Sequence, residues 1–148
     1  MKFQKLITLS LFAALFLNMQ CSEDDATAAY EPQCSDVNVI VDNTEYQNAE
    51  SDFYSFIGVG IDGDCLVVSF SASGCSGDTW ELKLVDSEAI MESFPPQRSL
   101  RFVLVNNEAC LAVFTQQREF DIRNLRVEGT DEVILNIDNF EGPITYSY

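Results

Sequence analysis

From Val37 onward the chain alternates apolar and polar residues with a period of two, broken at intervals by turn-formers. Leu66, Val68, Phe70 and Ala72 fall on one face of a strand. Trp80, Leu82 and Leu84 fall on one face of the next, with Glu81 and Lys83 opposite. Leu100, Phe102 and Leu104 form a third set, and Cys110, Ala112 and Phe114, followed by Phe120 and Ile122, a fourth. Val133, Leu135 and Ile137 come next, and Ile144, Tyr146 and Tyr148 close the chain. The breaks carry glycine, proline, serine, asparagine and aspartate: Asp62-Gly63, Ser73-Gly74, Ser76-Gly77-Asp78, Pro95-Pro96, Asn106-Asn107 and Gly129-Thr130-Asp131. A hairpin is expected around Asn139 to Pro143. No helical stripe stands out past residue 25, and Asp86 to Ser93 has room for one short helical turn. About seven to eight short strands in roughly 110 residues predict an all-β domain, an immunoglobulin-like two-sheet β-sandwich. A small antiparallel barrel is the alternative.

The N-terminus reads differently. Lys2 and Lys5 precede an uncharged, mostly apolar run of 12 residues, Leu6 to Leu17. A bilayer span needs roughly 20 apolar residues, so this run fits the core of a secretory signal. Directly behind it stands Cys21-Ser22-Glu23-Asp24-Asp25. A cysteine in that place, followed by serine and acids, resembles the signal of bacterial lipoproteins, and in particular the export signal of Bacteroidetes surface lipoproteins. The resemblance covers residues 1–25 only. It implies removal of residues 1–20, acylation of Cys21 and display on the outer face of the outer membrane. Residues 21–33 then form the acylated cysteine and a flexible acidic tether, and residues 34–148 the sandwich. Ordinary cleavage after Ala28 would leave three acids, Glu23, Asp24 and Asp25, in the cleavage region, which is unfavourable.

Composition narrows the function. The chain has 148 residues, 8 basic and 24 acidic side chains, and no histidine. A relay of Ser-His-Asp or Cys-His type is therefore impossible, as is an imidazole metal ligand. The net charge of −16 argues against a nucleic-acid partner. Loss of residues 1–20 takes both lysines and no acid, leaving 6 basic and 24 acidic groups, net −18. Such a body is repelled by anionic membrane surfaces and is expected to touch the membrane only through its lipid.

With Cys21 assigned to lipid, four cysteines remain: Cys34, Cys65, Cys75 and Cys110. An exported compartment permits disulfides. If Cys65 to Ala72 is one strand, Cys65 and Cys75 lie roughly 20 Å or more apart, beyond the reach of a bridge. That leaves Cys34–Cys65 with Cys75–Cys110, which we prefer, or Cys34–Cys75 with Cys65–Cys110. A four-cysteine metal site is disfavoured because no C-x2-C pair occurs.

Candidate chemistry is sparse. Asp62-Gly63-Asp64 places two carboxylates about a glycine and is the best candidate for a cation such as Ca2+, although a solvated turn is the plainer reading. Glu119 and Asp121 share a strand face, and Asp86, Glu88, Asp131 and Glu132 read as surface charge. Trp80 is expected in the core, while Tyr30, Tyr46 and Tyr54 are candidates for exposed stacking. Arg98, Arg101, Arg118, Arg123 and Arg126 are expected to pair with carboxylates, or, gathered on one face, to form an anion or partner site. These features favour a non-enzymatic surface module that binds a protein or glycan. The alternatives are a carbohydrate-binding accessory of a glycan-uptake system and a carboxylate-based hydrolase.

Overall fold

The computed structural model describes Cys34 and residues 37–148. The signal segment, Cys21 and the tether lie outside the described residues. Among the described residues, nine strands form two sheets. They are β1 (Val37–Asn38), β2 (Ile40–Val41), β3 (Ser55–Asp62), β4 (Cys65–Gly74), β5 (Glu81–Met91), β6 (Gln97–Val105), β7 (Ala112–Asp121), β8 (Glu132–Ile137) and β9 (Ile144–Ser147). One sheet has the order β1-β7-β4-β3 and the other β2-β5-β6-β8-β9, and neither closes on itself. The alternation along the chain thus yields the two-layer sandwich rather than a barrel.

The period of two sets the faces. On β4, Leu66, Val68, Phe70 and Ala72 are buried, while Val67, Ser69, Ser71 and Ser73 face outward. Across the gap, Leu84, Phe102, Leu104, Val133 and Leu135 form the opposing layer. Phe70 meets Phe102 with ring centroids 5.1 Å apart, and Phe102 meets Phe120 edge-on at 5.9 Å. Trp80 is buried beside Phe70, as the alternation predicts. The β8–β9 hairpin forms with Glu132 opposite Ser147. Three pairings are parallel, β1–β7, β2–β5 and β6–β8, where immunoglobulin sheets are antiparallel.

Ser73 and Gly74, read as a turn, are instead the last residues of β4, paired with Val113 and Ala112. Two further local expectations are corrected. A helix, α1 (Asn43–Asn48), stands where no helical stripe was read. Its start is set by Asp42, whose side chain accepts from the backbone N–H of Thr44 and Glu45. The helix covers the outer face of the larger sheet. Lys83 reaches Glu45 at 2.8 Å, and Arg101 donates to the Tyr46 carbonyl at 2.9 Å. Val85, which faces away from the inter-sheet core, is thereby fully buried. The second correction concerns Asp86 to Ser93. This stretch is strand as far as Met91, with an irregularity between Asp86 and Ile90 and with Glu88 in the left-handed region, φ 64°.

The two disulfides are Cys34–Cys65 and Cys75–Cys110, with Cα atoms 5.4 and 4.8 Å apart. They sit at the two ends of β4, which separates Cys65 from Cys75 as expected. Cys110 lies in the loop before β7 rather than on the strand.

Candidate ligand groove

Strand β8 pairs with β6 from Gln97↔Ile134 to Leu100↔Ile137 and then turns away. β6 continues to Val105, so its upper edge lacks a strand neighbour on that side. The segment before β3 covers this edge. Asp52 N–H donates to the Leu104 carbonyl at 2.8 Å, Leu104 N–H donates to Ser51 Oγ at 3.1 Å, and Tyr54 O–H donates to the Phe102 carbonyl at 2.9 Å. Between this segment and the turn after β8 lies a groove of about 780 Å³.

Its wall is aromatic. Tyr54 stands edge-on to Phe56 and Phe102, at 5.2 and 5.0 Å between centroids, and Phe56 stands edge-on to Phe140 at 5.5 Å. Phe53 lines the same groove and is 84% exposed. Burial pushes the Tyr54 phenol up to about 12, against the pull of the Arg101 charge, so it remains a hydrogen-bond donor at neutral pH. The Tyr46 phenol is also raised, first by burial and then by its hydrogen bond to Asp138. The polar rim of the groove includes Arg101, Asn139 and Glu141. Asn139 holds a left-handed backbone, φ 64°.

The residues singled out in the sequence lie elsewhere. Asp62 and Asp64 flank the tip of the β3–β4 hairpin, where Gly63 has φ 57°. Asp64 Oδ1 accepts from Tyr146 O–H and from Arg126, whose guanidinium lies over the Tyr146 and Tyr148 rings. Burial alone would raise the Asp64 carboxyl. The hydrogen bonds from Tyr146 and Arg126 and the Arg126 and Arg123 charges outweigh it, and hold the carboxyl below its ordinary value. This carboxylate is therefore neutralised within the chain. Among the described residues no three histidine, cysteine, aspartate or glutamate side chains gather in a metal-holding group.

Glu119 and Asp121 do share the outer face of β7, opposite Val67 and Cys65. Asp121 is tied to Arg123, and that hydrogen bond chiefly holds its carboxyl below the ordinary value. Arg98 pairs with Asp86, and Arg118 donates to the Gln117 carbonyl. Arg123 and Arg126 lie together around Asp121 and Asp64, with which they pair.

Asp86 is the clearest correction among the charges. Read from sequence as surface, it is fully buried and meets the buried Arg98 at 2.8 Å. Burial raises its carboxyl despite the opposing Arg98 charge. Glu108, not singled out in the sequence, accepts from the backbone N–H of Cys75, Ser76 and Gly77 and from Thr79 Oγ1. Those backbone donors hold its carboxyl down at about 2. The groove aromatics Phe53, Phe56 and Phe140 were also missed. Phe53 breaks the alternation and sits among Glu50, Ser51 and Asp52, which is the one signal that marks it.

No family model matches the chain, and no curated protein matches it. Two crystal structures are similar. One is a protein of unknown function, DUF1344, from Bacteroides vulgatus: TM-score 0.49, 17% identity, covering 76% of this chain and 56% of that one. The other is described as toxin-related and comes from Parabacteroides distasonis: TM-score 0.48, 16% identity, covering 74% of this chain and 60% of that one. This chain thus spans less than two thirds of either.

Proposed function

We propose that the protein is a lipid-anchored surface protein of the outer membrane whose sandwich is a non-catalytic binding module, with the groove beside β6 as its ligand site. The observation that carries the reading is the groove itself. It combines an aromatic wall, a phenylalanine left largely in solvent, and a rim of guanidinium, amide and carboxylate groups. Its volume falls within the roughly 300–1,000 Å³ of ligand pockets.

The chemistry supports binding over turnover. The chain has no histidine, and the carboxylates at Asp64 and Asp121 are each engaged by arginine. Anchoring rests on the signal-like segment ending at Cys21. The experiment is fractionation of cells carrying the Cys21→Ala chain. We expect this variant to leave the membrane fraction, and the unaltered chain to be cut by protease added to intact cells. A variant that stays membrane-bound refutes the anchor.

A further inference from the structure

We infer that the groove takes an uncharged sugar ring of a glycan, with Phe53 as the stacking platform and Arg101, Asn139 and Glu141 meeting the hydroxyls. This rests on the reading of the groove as the ligand site, and adds the class of ligand.

The first argument is what the groove lacks. An extended peptide docking beside a strand draws its affinity from the free main-chain groups of a sheet edge. Here that edge is occupied: Leu104 N–H and C=O and the Phe102 carbonyl are bound by Ser51, Asp52 and Tyr54 of the same chain. On the β6 side recognition therefore falls to side chains, while β3, the outer strand of its sheet, begins in the groove wall at Ser55 and makes a peptide the rival occupant.

The second argument is charge. The body carries −18 once residues 1–20 are gone, which opposes an anionic ligand. On the groove wall Arg101 stands with Asp52 and Glu141, so the wall presents both signs of charge. Arg101 spends Nη1 on the Tyr46 carbonyl. Its planar fork carries further N–H donors. A mixed rim of this kind suits an uncharged, hydroxyl-rich molecule, which uses both donors and acceptors without bringing a charge of its own.

The third argument is the pairing of surfaces. A pyranose ring offers a face of C–H groups and a rim of hydroxyls that both donate and accept. Phe53, 84% exposed, supplies an apolar plate for the first. Guanidinium, amide and carboxylate side chains supply donors and acceptors for the second. No other groove residue presents so large an apolar surface to solvent, since Tyr54, Phe56 and Phe140 pack largely against one another and the core.

The test is titration calorimetry on the full chain in non-ionic detergent. The probes are linear gluco-, xylo- and manno-hexaoses, an oligogalacturonate, and a tryptic digest of casein as the peptide arm. We expect at least one neutral hexaose to bind and the oligogalacturonate to fail. Phe53→Ala weakens that binding about tenfold or more, and Glu141→Gln weakens it severalfold. Both positions are exposed, and circular dichroism melting confirms that the variants stay folded. Three results overturn the inference. If no neutral sugar binds, the class is wrong. If a peptide binds with the same dependence on Phe53, the class is wrong while the groove stands as the ligand site. If a sugar binds equally to both variants, the groove itself is wrong.

Discussion

At the scale of single residues, the most informative group is Glu108. Its carboxylate fills a ring of backbone N–H groups in the β4–β5 loop, next to the Cys75–Cys110 bridge. The acid form cannot accept these bonds as well, so the pH dependence has a definite sign. Because the carboxyl is held at about 2, against 4.5 ordinarily, its contribution is complete above 4.5 and is lost as the pH falls toward 2. Melting temperature measured across that window should fall for the native chain, and Glu108→Gln should lower it at neutral pH and flatten the acid limb. Nothing in the sequence marks Glu108, because its partners are main-chain donors 29 or more residues away. Phe53 carried one faint signal, its polar neighbours. A lone phenylalanine among polar residues is common on surfaces, and only the course of the chain around it makes a groove. Asp62 and Asp64 were legible as two carboxylates about a turn, while the arginine that the fold sets against Asp64 was not.

At the scale of elements, the alternation was a sound guide wherever a strand has one buried face. It placed β4, β6, β8 and β9 because their inward residues touch a single layer of core. It also contained more than was read from it. Continuing Leu82, Leu84 by two gives Asp86, and stepping back from Leu104, Phe102, Leu100 gives Arg98. Both therefore point inward, and the β5–β6 seam is pinned by their ion pair near the β5 irregularity. Removing one partner leaves the other charge buried. Arg98→Leu should lose roughly 3–5 kcal/mol in urea unfolding, while the double replacement Asp86→Leu with Arg98→Leu should recover much of it. Equal losses in the two variants would mean that the pair is not coupled. The helix α1 was missed because six residues are too few to show a stripe. Its signature was nevertheless present as Asp42 followed three residues later by Glu45, the arrangement of a capping box. The parallel pairings were not legible, since alternation fixes a strand's faces but not its neighbours.

At the scale of the whole molecule, the covalent frame is two bridges spanning 31 and 35 residues, one at each end of the central strand β4. Loops of that length correspond to roughly 3.5–4 kcal/mol each in the chain-entropy account. Mass spectrometry of the unreduced protein after thiol alkylation should show no label on Cys34, Cys65, Cys75 or Cys110. Label on any pair of them would contradict the frame. The pairing was reachable from sequence because one strand had to keep Cys65 from Cys75, whereas the choice between the two remaining patterns needed the sheets. The Cys34–Cys65 bridge also decides how the domain bears tension. A pull applied to the chain ahead of residue 34 passes through sulfur into the base of β4, the strand held by both β3 and β7. The short strands β1 and β2 follow the bridge in the chain, and their two-residue ladders are spared the load. In a protein hung from a cell by its N-terminus, shear would reach the fold at its best-supported strand, and reduction of that one bond would shift it to its weakest.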